Sequence, residues 1–520
     1  MQPKPRPERY ASPFFSRLAC LLPVVCLALF TGCGDDDGAA DGCDLAAPDC
    51  PEGQVCLPQA EGDPICQDVC DPTAPDACGD GLACERLDTG DHACFEPVYL
   101  EGRVFDLTDD LGVVDALVIA ADDTGAAVTN VVVSGADGYY ELRIPVTRDA
   151  SGVPQGGIFT LRVAAQDYVP YPAGLRPAIP IDASGAGYSD GAYRLSNPTT
   201  DVGLIPLPGD EQGLGSISGA VGGDLSGGAL VVAECGDPPC PLAYADLGGD
   251  YTIYNVPDGT YTVRGYKAGL QLEPADVDLA NNDHLTGVDL AVSDLPLSTI
   301  SGSINVVNPG DGDVSSVVLV PESSFMQLSD SFVRGEVAPG LRDPAPGLPP
   351  DVTGAFTIEG VPDGNYVVLA AFENDFLVRD PDPGIAGTQI VHQEVPDPTD
   401  GNEITIDTSF KVTGALTMFG PGAEGPEAVA DASALVFSWK DDSSEDFYAV
   451  VVYDAFGNEV WDYPDAPRVT GGEVVEVDYA GPALTPGMYY QWRATSHRVA
   501  GPISTTEDLL GVFYIPGTVQ

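Results

Sequence analysis

The chain has 520 residues, with 21 lysines and arginines against 80 aspartates and glutamates, for a net charge of −59. A field of that sign repels phosphate backbones and anionic lipid headgroups, which argues against nucleic acid as a partner. The length suffices for about three to five ordinary domains. The 61 glycines and 47 prolines, set among 44% hydrophobic residues, point to many short strands joined by tight turns.

Lys4, Arg6, Arg9 and Arg17 make a basic leader, and Leu18 to Phe30 is an apolar run. At about a dozen residues it is shorter than the roughly 20 that a membrane-spanning helix needs, and it fits a signal-peptide core. The run ends in Phe30-Thr31-Gly32-Cys33 and passes at once into Gly34-Asp35-Asp36-Asp37-Gly38. This ending resembles the lipobox of bacterial lipoproteins, with Phe30 departing from the usual leucine. The resemblance implies a leader over residues 1–32, a lipid on Cys33 and an acidic tether over residues 33–42. More than one acyl chain on a cysteine makes anchoring effectively stable. Gly34, rather than aspartate, after the cysteine implies the outer membrane by enterobacterial sorting; exposure at the surface is the expectation, with a periplasmic orientation left open. An uncleaved or simply secreted chain is the alternative.

Residues 43–97 form a cysteine-rich module with an internal repeat. Cys43, Cys50, Cys56 and Cys66 make one unit, and Cys70, Cys78, Cys84 and Cys94 make the next. CPEGQVCLPQAEGDPIC aligns with CGDGLACERLDTGDHAC. Cys20 and Cys26 leave with the leader and Cys33 takes the lipid, so ten of the thirteen cysteines remain, an even set expected to form disulfides in an exported chain. Units this short bury little apolar surface and need covalent staples. Pairing within each unit is the simplest arrangement, and the connectivity stays open. Zinc is disfavoured, because the module has no Cys-x-x-Cys pair and its only histidine is His92. The module resembles small cysteine-rich stalk repeats on surface proteins of delta-proteobacteria, which implies a spacer or a small interaction module.

From Val98 onward apolar residues alternate with polar ones, the period of half-buried strands. One motif occurs twice, as GDYTIYNVPDGTYTV over residues 249–263 and GAFTIEGVPDGNYVV over residues 354–368. Each reads as two strands about a Pro-Asp-Gly hairpin, with Gly259 and Gly364 expected to take positive φ at the turn. A relative at Ala136-Asp137-Gly138-Tyr139-Tyr140 is parted from its second strand by an insertion at about residues 146–157. The pattern, with the openings Leu100-Glu101-Gly102-Arg103-Val104, Gly215-Ser216-Ile217-Ser218-Gly219 and Thr299-Ile300-Ser301-Gly302, resembles the carboxypeptidase regulatory-like domain. That resemblance implies transthyretin-like β-sandwiches over residues 98–207, 213–295 and 298–411, the last with a Pro-rich insertion near 339–350. It also implies scaffold rather than peptidase. Cys235 and Cys240 enclose Gly-Asp-Pro-Pro and are expected to close a local disulfide.

Residues 412–520 differ. Leu435-Val436-Phe437-Ser438-Trp439 is an early strand, and Leu484-Thr485-Pro486-Gly487-Met488-Tyr489-Tyr490-Gln491-Trp492 resembles the corner of a fibronectin type III domain. By that resemblance Tyr490 is the corner tyrosine. Trp439 and Trp492 are expected to be core rather than a platform for sugars. The fold class expected is therefore all-β, a tandem array of small antiparallel β-sandwiches preceded by a disulfide-rich cysteine-repeat module.

Chemistry is sparse. His92, His284, His392 and His497 fall in different modules, so no zinc cluster forms from them. Gly215-Ser216-Ile217-Ser218-Gly219 puts Ile217 where a nucleophile elbow needs serine. Carboxylate pairs arise by chance among 80 acidic residues and make no case for glycoside hydrolysis. Asp35-Asp36-Asp37 and Asp311-Gly312-Asp313 are oxygen-rich but lack an EF-hand register, which leaves weak attraction of divalent cations by the acidic surface. No cofactor and no catalytic residue is expected. Two readings follow. One is a non-enzymatic, lipid-anchored envelope scaffold for adhesion or ligand display. The other is a carbohydrate- or peptide-binding accessory of an extracellular hydrolase system, which an exposed strip of Trp and Tyr would favour.

Overall fold

Alternation builds strands throughout the protein, and no α-helix occurs among the described residues. The computed structural model describes residues 43–517 except 44–49, 58–63, 72–77, 79–80, 123, 174–175, 190, 226, 308–314, 328–332, 345–351, 371–376, 380–390, 399–400, 408–409, 430–431, 443, 470–473 and 500. The leader, Cys33, the tether, Asp311-Gly312-Asp313 and part of the Pro-rich insertion thus lie outside the described residues. No helix among the described residues is long and apolar enough to cross a membrane.

Each four-cysteine unit contributes one hairpin: Gln54–Leu57 with Ile65–Asp68, and Ala83–Leu87 with His92–Phe95. The sandwiches follow, each of two sheets whose apolar faces meet. In the first, Val98–Asp106 pairs antiparallel with Tyr139–Ile144 and parallel with Val202–Pro206. Ile158–Ala164 pairs with Leu117–Ala121 in the opposing sheet. In the second, Gly215–Ala220 pairs with Asp250–Val256, while Gly259–Tyr266 lies between Ala229–Glu234 and Ala275–Leu279 in the other sheet. The third repeats this arrangement, with Ser298–Val307 on Ala355–Val361 and Val317–Pro321 on Gly364–Ala370. In all three the opening strand also pairs in parallel with a late strand of the same sandwich. The opening glycine lets that late strand approach. A Cβ on Gly102 would lie 2.0 Å from the Thr200 carbonyl oxygen, and one on Gly219 would lie 2.1 Å from that of Val288. Tyr140 and Tyr251 donate hydroxyl hydrogen bonds to those same two carbonyls, each at 2.5 Å.

The Pro-Asp-Gly turn corrects the sequence reading. Strands Asp250–Val256 and Gly259–Tyr266 do not pair with each other. They belong to opposite sheets, so the turn is a corner rather than a hairpin. Positive φ falls not on Gly259 or Gly364 but on Asn255 (+57°) and Gly360 (+70°). Both sit where the pairing register slips by a bulge before the corner. Gly259 and Gly364 serve aromatic packing instead. A Cβ on Gly259 would meet the Tyr261 ring at 3.3 Å, and one on Gly364 would meet the Tyr266 ring at 2.8 Å. Tyr261 and Tyr366 then donate to the carbonyls of Pro257 and Pro362, both at 2.8 Å, and tie the corner shut.

The C-terminal sandwich sets the three-stranded sheet of Met418–Gly420, Val436–Lys440 and Val474–Asp478 against a six-stranded sheet centred on Phe447–Asp454 and Tyr489–Arg498. Trp439, Tyr448, Trp492 and Phe437 form its aromatic core.

Candidate functional site

The cysteines pair first to third and second to fourth in both units: Cys43–Cys56 and Cys50–Cys66, then Cys70–Cys84 and Cys78–Cys94. Cys56 faces Cys66 across one hairpin and Cys84 faces Cys94 across the other. Each facing cysteine nevertheless reaches back to the segment before its hairpin and pins it there. Loops of 13 to 16 residues are closed, each removing about 3 kcal/mol of unfolded-chain entropy. The only groups of three potential ligand residues converging within 4.8 Å among the described residues are Cys43, Cys50 and Cys56, and Cys70, Cys78 and Cys94. All of these thiols are oxidised in disulfides. Cys235–Cys240 closes its short loop, and the Cys240 amide donates to the Ser323 carbonyl of the third sandwich at 2.7 Å.

The corners are where the modules join. In the first sandwich the corner connection is lengthened, and the insertion read at residues 146–157 folds into strands Thr147–Arg148 and Pro154–Gly156. These strands extend the sheet of Ala83–Leu87 and His92–Phe95, so one sheet runs across the boundary placed at residue 97. Arg148 is buried there in an ion pair with Glu85, donates to the carbonyls of Gly152 (2.8 Å) and Glu96 (2.7 Å), and lies 4.5 Å from the centre of the Phe95 ring. Burial pushes the Glu85 carboxyl up to about 7 against the pull of Arg148.

In the second sandwich the corner carries Asn255 into the loop after strand Ile158–Ala164 of the first. Its Oδ1 accepts from the Asp167 amide (2.7 Å) and Gln166 Nε2 (3.1 Å), and its Nδ2 donates to the carbonyls of Ala165 (3.0 Å) and Tyr168 (2.9 Å). In the third, the Gly360 carbonyl accepts from the Gly269 amide at 2.8 Å, and Gln271 Oε1 accepts from Asp363 N at 2.9 Å. A side chain at Gly360 would have a Cβ 2.7 Å from the Gly269 nitrogen. The same structural position therefore docks each of the first three sandwiches on the module before it. Further contacts bind the set. Arg162, Tyr244 and Glu336, from three successive sandwiches, share an ion pair and a 2.8 Å hydrogen bond. Arg176 donates to the Phe456 carbonyl of the C-terminal sandwich at 2.5 Å, beside a Phe105–Phe456 edge contact.

Trp439 and Trp492 have no exposure, and the Trp492 indole donates to the Pro421 carbonyl at 2.8 Å. Tyr490 is buried and its hydroxyl accepts from the Thr485 amide at 2.8 Å. Trp461, which the sequence reading did not single out, is half-buried on edge strand Glu459–Pro467, between Tyr463 (37% exposed) and Tyr479. Of the histidines, His497 stacks on Phe447 and His392 faces Glu322. His284 Nδ1 is 2.9 Å from Ser216 Oγ. Among the described residues no carboxylate orients the other nitrogen of His284, so the pair lacks the third member that a hydrolytic triad requires.

No family model and no curated protein matches the chain. Among solved structures, the Bacillus anthracis TIE protein is 10% identical over 78% of this chain and 67% of its own, with a TM-score of 0.13. A tetra-tandem repeat from the extending region of a large adhesion protein is 15% identical over 79% and 97%, with a TM-score of 0.13. A shaft pilin of Lactobacillus rhamnosus GG is 9% identical over 38% and 98%, with a TM-score of 0.16.

Proposed function

We propose that the protein is a non-enzymatic scaffold of the bacterial cell envelope, held by lipid on Cys33 at the outer membrane with its sandwiches outside the cell. The supporting observation is the corner docking, in which Arg148, Asn255 and Gly360 make a buried or backbone-satisfying contact at the three junctions up to the third sandwich. Such contacts fix the spacing from the disulfide hairpins to the third sandwich, which supports a display stalk. In this reading residues 43–97 are the spacer, 98–207, 213–295 and 298–411 the carboxypeptidase regulatory-like modules, and 412–520 the fibronectin-like terminus.

Protease shaving of intact cells tests the proposal, comparing the native chain with a Cys33→Ser variant. Loss of the native chain on shaving, together with release of the variant to the medium, is the expected result. A native chain protected until the outer membrane is opened, or a variant still held in the membrane fraction, refutes the surface anchor.

The second reading, a carbohydrate-binding accessory, draws on the half-exposed Trp461–Tyr463 pair, 6.0 Å apart and inclined by 32°. Retention of the chain on a neutral polysaccharide, lost in Trp461→Ala, would favour it.

A further inference from the structure

The four sandwiches are not held alike. Buried residues of the first three run together in one apolar cluster, where Ile119 of the first joins Leu230 and Val232 of the second and Val317 and Leu319 of the third. Among the described residues, the cluster of the C-terminal sandwich draws every member from residues 416–515. Parting the first three would expose shared core, whereas the C-terminal sandwich can leave them with its own core whole. Its covalent connection is short. Gly414 still pairs with Leu377 in the third sandwich, and the Leu416 amide already donates to the Thr505 carbonyl of the C-terminal one at 2.9 Å. Ser504 holds the Gly414 carbonyl at 2.6 Å, which leaves that glycine, with its free backbone, as the pivot.

The contact back to the first sandwich is a small key in a socket. The key is the turn between strands Phe447–Asp454 and Glu459–Pro467, stiffened by Asp454, which accepts from the amides of Phe456 and Asn458, both at 2.9 Å. It sets Phe456 edge-on to Phe105, with ring centres 5.1 Å apart. Gly457 permits the approach, since a Cβ there would lie 3.1 Å from the Pro177 carbonyl oxygen. The socket is built by the first sandwich alone. Arg176 lies 5.3 Å from the centre of the Tyr171 ring and donates to the Gly203 carbonyl at 2.8 Å, and so stands ready to donate to the Phe456 carbonyl as well.

We propose that the C-terminal sandwich is a hinged arm, pivoting at Gly414 and latched on the first sandwich by its 454–458 turn. Closed, it covers Ile179, which is buried with Ala455 and Val512. Open, it swings away from a rigid body of three sandwiches. The device goes beyond the scaffold reading and needs no lipid, so its failure leaves the surface anchor untouched.

Spin labels at positions 188 and 499 of the full chain read the distance between the two sandwiches. Tyr188 is 49% exposed on the first and Val499 is 91% exposed on the C-terminal one. Carrying the labels on p-acetylphenylalanine keeps them clear of the chain's own cysteines. The expected result is one short distance in the native chain, with a longer one gaining about tenfold or more in relative population in Arg176→Ala and in Phe456→Ala. Tryptophan emission, which reports the C-terminal sandwich, should stay unchanged in both. A single unaltered distance in both variants overturns the arm and makes the contact a fixed junction. A longer distance that comes only with altered tryptophan emission overturns it too, because the sandwich then unfolds rather than swings. Should Arg176→Ala disturb the first sandwich, Phe456→Ala, on the other side of the contact, carries the test.

Discussion

Replacing Asn255 with alanine should unlock the first sandwich from the second. The change deprives three backbone groups of their partners, namely the Asp167 N–H and the carbonyls of Ala165 and Tyr168. At about 1 kcal/mol net for each lost hydrogen bond, the junction loses about 3 kcal/mol. Alanine must also hold φ at +57°, which costs about 1 kcal/mol more. Asn255→Gly loses the same bonds without the strain, so the two variants should differ by about that last 1 kcal/mol. In a chain of several modules a single melting midpoint is a poor measure of one junction, and native-state hydrogen exchange at the junction is the right one. Exchange of the Asp167 amide should quicken by roughly two orders of magnitude in Asn255→Gly, and by several-fold more in Asn255→Ala. Tryptophan fluorescence should barely change, since all three tryptophans, Trp439, Trp461 and Trp492, lie in the C-terminal sandwich. Exchange at Asp167 within threefold of the native rate in both variants would refute the corner as a lock. Equal rates in the two variants would refute the strain.

At the first junction, Arg148→Met leaves Glu85 buried without its ion-pair partner and should cost about 3–5 kcal/mol, read as protease sensitivity between residues 95 and 157. Adding Glu85→Gln should recover part of that loss. The folded-state pKa of Glu85 is raised to about 7 from 4.5, so the folded state holds a proton that the unfolded state releases across that window. Glu85 therefore favours folding less as pH rises from about 4.5 to 7, and urea titrations of native and Glu85→Gln chains should diverge across that range. Burial lowers the pKa of His497, which stacks on Phe447. Its contribution is complete above the ordinary histidine pKa and is lost as pH falls through the folded value, which tryptophan fluorescence of a His497→Gln variant checks by its weaker acid sensitivity. Tyr490→Phe removes the acceptor for the Thr485 amide and should lower the urea midpoint of the same fluorescence transition by an amount equivalent to about 1–2 kcal/mol.

The all-β class was legible because period-two alternation and turn residues survive in every module, as in Tyr251, Ile253, Tyr261 and Val263. The aligned motifs also held the junction signal. Asn255 and Gly360 occupy the same place before Val-Pro-Asp-Gly, and they are residue types that tolerate positive φ. Pro-Asp-Gly drew attention instead, because it is the stronger hairpin signal when strands are taken to pair with their sequence neighbours. Whether two adjacent strands share a sheet depends on where the rest of the sandwich lies, which a local pattern does not encode. The Glu85–Arg148 pair is illegible for a related reason. Its members are 63 positions apart, and each looks like one more surface charge until the insertion folds back.

A corner is a suitable place for a junction on physical grounds. Its two flanking strands are fixed in opposite sheets of one core, so a contact made at the corner is referred to both sheets at once. A flexible linker would leave the angle between modules to thermal motion, whereas a corner transmits it from the core of one sandwich to the loop of the one before. The connection also tolerates change in length without disturbing either sheet. A bulge with Asn255 suffices against the loop of a neighbouring sandwich, while the longer excursion through Thr147–Arg148 and Pro154–Gly156 reaches the disulfide hairpin. If this is the rule of assembly, shortening residues 149–153 should be tolerated by the first sandwich itself, whose sheets do not use them, while loosening the hairpin of Ala83–Leu87 and His92–Phe95. Hydrogen exchange that quickens in residues 83–95 but not in residues 158–164 would bear that out, and equal quickening in both would show that the insertion belongs to the core of the sandwich instead.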